Sequence, residues 1–325
     1  MMGAATNYLG PWSATTENEL SLRKASSPLH TNAKASRKVP FAVIRDKLDT
    51  LVAALINLLD REFPKGLAAI PGLRPFLLVS MKTTQNTYEA IRYVAADLPK
   101  DPARKLAFGL LIDPLARVLA DIIFTIVFMQ EDLPARVGWY HRGGWRELKE
   151  DFDRHRAEYG ALVEWQNWLQ GYERAIESSR VTYGITEAEA GNLRNLRYWP
   201  TPGQILRSEE LGEESRQFLT FLNDWIYRGL SSGAHVSGAG IVRRHGFLLL
   251  HRDERREEIL GKLKSDGVFT ATTLTVAIST EVNSICGYGR DSTLSYLWRI
   301  LVEFWGEAKD LFDRRYSKLV VTKGT

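Results

Sequence analysis

The sequence predicts an all-α protein, a multi-helix bundle without a sheet. Three observations lead there. Apolar residues recur at three- and four-residue steps through long windows, and the strand–helix alternation of a parallel sheet is missing. Proline and glycine fall mainly between those windows, where they punctuate helices. The chain of 325 residues is 44% hydrophobic and 25% charged, a globular balance with ample surface to bury a core.

Composition narrows the function classes. A net charge of +4 is compatible with a nucleic acid or another anionic partner without requiring one. Cys286 is the only cysteine, so a disulfide framework or a cysteine-based metal site within one chain is excluded. The first thirty residues have no apolar h-region, and Glu17 and Glu19 argue against a transit peptide. The most apolar stretch, Leu106–Met129, holds Asp113, Pro114, Arg117 and Asp121 too centrally for a membrane span. The expected location is the cytoplasm, with no membrane partner.

Residues 1–38 read as a flexible basic arm, and residues 39–325 as a single helical domain. Arg23–Lys38 carries five positive charges and no acid, as a solvated tail or an RNA-contacting arm would. The first helix is expected over Phe41–Phe63, with Ile44, Leu48, Leu51, Val52, Leu55 and Leu59 facing the core. A second is expected over Phe76–Leu98 and a third over Ala103–Gln130, where Asp113-Pro114 either caps a new helix or kinks a continuous one. Pro134–Gly144 reads as a loop, Trp145–Ser178 as one long charged helix with Leu162 and Val163 in its stripe, and Glu187–Leu196 as a short helix. Ile241–Leu250 reads as an extended piece or a helical turn, with a hairpin near Ile241–His251 the one place for extended pairing, and Asp253–Lys264 as a short helix. In Thr270–Cys286 the β-branched residues favour strand and the length favours helix; helix is chosen. A final helix runs from a cap at Asp291 or Ser292 to Tyr316. The expected core is Leu119, Ile123, Phe218, Leu222, Trp225, Leu297 and Leu301.

The rest of the chain is read around Glu214–Gly240. It reads as one amphipathic helix with Phe218, Leu222, Trp225 and Gly229 on one side and Phe221, Ile226 and Leu230 widening the apolar stripe. Asp224, Arg228, Ser231 and His235 follow at steps of four, three and four on the other. At 100° per residue these four stay within about 40° of one line, and Arg228 and His235 lie about 10 Å apart along the axis. Gly233, Gly238 and Gly240 weaken and end the helix, which leaves His235 near its terminus. Nowhere else do a cation, hydroxyls and a titratable base line up. There is no phosphate-binding glycine loop, no His-Glu-x-x-His zinc motif and no Gly-x-Ser-x-Gly elbow, so neither a metal nor a cofactor is expected.

Arg228-Gly-Leu-Ser-Ser-Gly-Ala-His235, an arginine, six residues and a histidine near a helix end, resembles the motif of the HEPN superfamily of small helical bundles. The layout is also similar to a bacterial group known only as a domain of unknown function, through the Thr83–Asp97 helix, the apolar helix after it and the Tyr227–His235 run. Arginine-to-histidine spacings of four or six residues also occur at Arg136–His141 and Arg244–His251, but only Arg228 is expected on an amphipathic helix. The resemblance implies a HEPN-like core with additional peripheral helices, and a metal-independent endoribonuclease. His235 would act as acid or base, Arg228 would hold the scissile phosphate, and Ser231 or Ser232 would stand in for the polar residue that follows the arginine in active members, where this chain has Gly229. It further implies RNA as partner and a homodimer whose two central helices pair across a two-fold axis. A non-catalytic helical scaffold or an RNA- or protein-binding module accounts for the same residues: Asp224 and Arg228 at i,i+4 pair on a helix surface, and His235 bonds carbonyls at the helix end.

Overall fold

No strand occurs among residues 41–96, 108–230 and 256–321, the residues that this computed structural model describes. The arm at Met1–Lys38 and the apolar piece at Ile241–Leu250 lie outside them. The described helices from Ala42 onward belong to one compact unit.

Helix α1 (Phe41–Arg61) forms on its periodic stripe: Ile44, Leu48, Leu51, Val52, Leu55 and Leu59 are all buried. α2 (Leu73–Ala96) follows a turn at Gly72, whose φ of +84° is one that L side chains rarely adopt. α3 (Ile112–Gln130) starts just before Asp113, which therefore is not its cap; the cap position is Leu111, with no side-chain bond. Leu119, Ile123, Ile126 and Val127 are buried as expected, whereas Leu115 and Ile122 are half-buried.

The centre of the bundle is not the stretch from Glu214 but α9 (Arg256–Cys286), which packs on α3, on α2 and on α10 (Asp291–Phe304). Every residue from Ala271 to Asn283 is buried. A helix enclosed on all sides must also satisfy its polar atoms; Thr272 and Thr280 do so within the helix, whereas the hydroxyls of Thr273, Thr275 and Ser279 are buried without a hydrogen-bond partner among the described residues. Thr272 Oγ1 donates to Val268 O at 2.7 Å and Thr280 Oγ1 to Val276 O at 2.8 Å. Trp298 Nε1 on α10 donates to Thr280 Oγ1 at 3.0 Å. Tertiary packing overrides the strand propensity of Thr270–Cys286, and the described part of the short helix expected at Asp253–Lys264, from Arg256 on, belongs to the same element.

The end of α3 and the C-terminal segment meet at Glu281, which is fully buried in α9. Arg315 Nε donates to Glu281 Oε1 at 2.6 Å and Arg315 Nη2 to Oε2 at 3.1 Å. Gln130, the last residue of α3, donates from Nε2 to Glu281 Oε2 at 2.7 Å and accepts from Arg315 Nη2 at 3.2 Å. Burial opposes the charge of Arg315, but the Glu281 carboxylate outweighs it and holds the guanidinium above its ordinary pKa. The helix expected over Asp291–Tyr316 breaks at Trp305, whose backbone is extended; α11 (Gly306–Leu311), a π turn at Phe312–Tyr316 and α12 (Ser317–Val321) follow. Asp291 spends its carboxylate on Asn283 rather than on a cap.

A second, smaller core lies under a helical hairpin. The segment Pro134–Gly144 is not a loop: α4 (Leu133–Tyr159) runs through it, capped by Asp132, whose carboxylate accepts from Ala135 N, with Pro134 in the first turn. Of its glycines, Gly143 serves packing. A Cβ on Gly143 would lie 2.9 Å from Trp199 N and 3.0 Å from Arg197 O, so only glycine admits the connector here. The long helix expected to reach Ser178 instead ends at Tyr159. α5 (Val163–Thr182) folds back on α4, so that Trp145 and Phe152 meet Leu169 and Ile176. Leu162 and Val163 thereby become exposed turn residues rather than core. α6 (Glu187–Gly191), capped by a reciprocal Thr186–Glu189 pair, and a 3-10 turn at Leu193–Asn195 replace the single short helix expected there. α7 (Pro202–Arg207) leads into the segment that carries the candidate site.

Candidate functional site

Of the five residues picked out by the sequence, Asp224 and Arg228 lie among the described residues, and Ser231, Ser232 and His235 lie outside them. α8 (Glu213–Leu222) buries Ser215, Phe218, Leu219 and Leu222. It does not continue as an α-helix. Asn223–Tyr227 is a π turn, in which the Arg228 N–H donates to Asn223 O, one residue further back than an α-helix would allow.

That extra residue changes which side chains face inward. After Leu222 the buried positions are Ile226 and Leu230, at steps of four. Trp225, expected in the core, is only half-buried, and Gly229 is exposed. The Trp225 ring packs parallel to Phe221, centroids 6.0 Å apart and planes at 18°. Arg314, from the π turn of the C-terminal segment, places its guanidinium 4.5 Å from the Phe221 centroid.

Arg228 points to solvent, with 75% of its side chain exposed. Its Nη1 donates to Asp224 Oδ1 at 3.3 Å, and the same oxygen accepts from Asn223 Nδ2 at 3.1 Å. An exposed i,i+4 pair of this kind contributes about 0.3–0.5 kcal/mol and leaves most of the guanidinium fork facing water. On the inner side of the turn, the Tyr227 hydroxyl accepts from Arg117 Nη2 at 3.1 Å, and the ring tilts against Phe124. Burial, and then the Asp121 carboxylate, push the Tyr227 phenol above its usual pKa, so it anchors the turn as a neutral group.

The second arginine-to-histidine spacing, Arg136–His141, also falls on a helix, α4, against expectation. Its groups are spent on packing. Arg136 is buried and donates to Phe128 O and, at 2.7 Å, to Glu210 O, while its guanidinium lies 3.9 Å from the Phe128 centroid. Burial lowers its pKa, with Glu210 opposing. His141 Nε2 bonds Gly72 O at 3.0 Å and the ring stacks on Tyr183 at 4.4 Å. Burial lowers the His141 pKa, so it is held neutral.

A cleft of about 400 Å³ opens between α4, α5 and α6, lined by Trp145, Phe152, Arg156, Glu173, Glu177 and Arg180. Its cations are already matched: Arg156 donates to Glu173 at 3.1 Å and Arg180 to Glu177 at 2.6 Å. Cys286 is buried, and burial pushes its thiol up to about 11, which makes it a poor nucleophile. Among the described residues no three His, Cys, Asp or Glu side chains are grouped to hold a metal ion, and no helix is long and apolar enough to cross a membrane.

No family model matches the chain, and no match appears among curated proteins or solved structures. Sequence periodicity puts Phe221 and Trp225 on one apolar stripe and does not foretell that Arg314 joins them. Periodicity assigned Trp225 to the core, and a π turn carries no local sequence signature that would have moved it out.

Proposed function

We propose that the Arg228 face is a metal-independent site for cleaving RNA phosphodiesters. The observation that carries this reading is Arg228 itself: an arginine left 75% exposed at the end of a π turn, with a 3.3 Å tie to Asp224. π turns interrupt helices frequently at functional sites. A guanidinium held at its base by a carboxylate, with its fork open, is suited to a phosphate group. Ser231, Ser232 and His235 follow within seven residues of Arg228 in the sequence. In the proposed reaction His235 takes the proton of a ribose 2′-hydroxyl, the 2′-oxygen bonds to phosphorus, and the 5′-oxygen leaves with a proton. Arg228, Ser231 and Ser232 stabilise charge on the non-bridging oxygens, and Asp224 orients Arg228. The products are a 2′,3′-cyclic phosphate and a 5′-hydroxyl. An isologous dimer that pairs two copies of this face would double the site.

The test is incubation of the purified chain with RNA, with and without EDTA, followed by end-group analysis. Cleavage that survives EDTA, yields cyclic phosphates and disappears in His235→Ala and Arg228→Lys supports the reading. Arg228→Lys keeps the charge and loses the bidentate fork. The competing reading, a non-catalytic helical module, is favoured by the Asp224 contact, which accounts for Arg228 as a surface pair; it forecasts that both substitutions leave RNA untouched.

A further inference from the structure

The π turn that exposes Arg228 also leaves Phe221 and Trp225 half-buried, while Ile226 and Leu230 fill the inward positions that Trp225 and Gly229 would have taken. Phe221 and Trp225 lie nearly parallel, 18° apart in plane, and Arg314 adds a cation 4.5 Å from the Phe221 centroid. Trp225 lies within the π turn and Arg228 at its end, three residues on. Resting on the RNA reading above, we infer that Phe221, Trp225 and Arg314 form a stacking subsite for an unpaired nucleobase beside the Arg228 phosphate site, and that the substrate class is single-stranded RNA or a single-stranded loop.

The charge on this face fits that occupant. Two arginines, Arg228 and Arg314, come from opposite parts of the chain. Of the acids nearby in sequence, Asp224 is engaged by Arg228 and Asn223, and Asp313 by Lys309. A ring face beside a cation suits a base, whose own face stacks on aromatic and guanidinium planes alike. Paired RNA hides its base faces within the helix, so a platform of this kind selects unpaired segments. Aromatic groups elsewhere differ: beside Tyr159, Trp165 and Trp168 at the tip of the α4–α5 hairpin, Arg154 and Arg156 are bound to Asp151 and Glu173 at 2.5 and 3.1 Å, and the cations over the Tyr198 and Trp139 rings, Arg146 and Arg197, are paired with Glu150 and Glu210 at 2.8 and 3.7 Å.

The experiment measures binding separately from cleavage. A labelled, fully 2′-O-methylated oligonucleotide cannot form a cyclic phosphate and reports binding alone. Trp225→Ala should weaken its binding by about fivefold or more, Trp225→Phe should recover most of the loss, and one abasic position in the oligonucleotide should weaken binding to the unaltered protein by a similar factor. The salt dependence should keep its slope in Trp225→Ala, because no phosphate contact is removed. The same strand closed into a duplex should bind more weakly. Binding by Trp225→Ala within twofold of the unaltered protein, no effect of the abasic position, or a preference for duplex would each overturn the inference. If the unaltered protein cleaves RNA while Trp225→Ala binds normally, the stacking subsite is wrong and the cleavage reading stands. If the abasic and Trp225 effects appear while RNA stays intact, the cleavage reading fails and the subsite stands. If no RNA binds at all, both fail.

Discussion

Arg315→Met is the perturbation that most directly tests how the end of α3 and the C-terminal segment are locked to the centre. It keeps a long apolar stem and removes the only cation among the described residues that donates to Glu281, a side chain with no solvent exposure. Two of the hydrogen bonds to the carboxylate disappear, and Gln130 Nε2 at 2.7 Å remains as the donor. A buried carboxylate stripped of its cation costs about 3–5 kcal/mol, because the charge is left without compensation while the desolvation is unchanged. Glu281→Gln added to Arg315→Met should recover at least half of that. The new amide is neutral, and it can donate to Gln130 Oε1 while accepting from Gln130 Nε2, so both amides are satisfied. The assay is urea unfolding followed by circular dichroism at neutral pH, with the midpoint and slope fitted for the parent, the single and the double substitution. The reasoning is refuted if the single substitution lies within about 1 kcal/mol of the parent, or if the double is no more stable than the single, since the loss would then be one of packing rather than of an orphaned charge.

Three further outcomes follow from local geometry. Gly143→Ala should destabilise by about 1–3 kcal/mol in the same unfolding assay, because its methyl would meet the Trp199 backbone at 2.9 Å, whereas Gly144→Ala, which meets nothing within 4 Å, should be neutral or slightly stabilising. Trp298→Ala should cost about 3–5 kcal/mol and Trp225→Ala far less, since Trp298 is fully buried on Thr280 and Trp225 is not; equal costs would restore Trp225 to the core. His141 is depressed below its ordinary pKa by burial, so its contribution is complete above about pH 6.5 and erodes as pH falls below that value, where the unfolded chain takes up the proton first. Melting temperatures at pH 7.5 and 5.5 should therefore differ more for the parent than for His141→Gln.

What the sequence revealed and what it hid divide along one physical line. A helix with one buried stripe is legible, and α1 shows this: all six residues assigned to its core side are buried. The same holds for Leu294, Leu297, Leu301, Ala308 and Leu311 near the C-terminus. A helix buried on every side has no stripe to read. α9 carries threonines and serines all round its axis, and those hydroxyls imitate strand propensity until the bonds of Thr272 and Thr280 back to the preceding turn are seen. Breaks without proline are equally silent. Trp145, Phe152, Leu169 and Ile176 keep their seven-residue steps on either side of the α4–α5 turn, so the pattern suits one long helix and a folded hairpin alike.

The candidate site falls on the illegible side of that line for the same reason. Reading Asp224 and Arg228 as a surface pair needed only their four-residue spacing, and the 3.3 Å contact matches it. Placing Trp225 needed the phase of the helix beyond Leu222, and a π turn shifts that phase by one residue. The buried set then passes from Phe218, Leu222 and Trp225 to Phe218, Leu222 and Ile226. The shift decides what the face can bind. With Trp225 inside, Arg228 would stand on the helix surface with only Asp224 for company. With Trp225 half-buried, its ring stacks on Phe221, which carries Arg314, the arrangement proposed above as a base-stacking subsite. A variant that restores the α phase by deleting Asn223 should return Trp225 to the interior and abolish binding of single-stranded RNA while raising, or at least keeping, the melting temperature. Retained binding in a folded deletion variant would separate RNA recognition from the π turn and refute this account of the site.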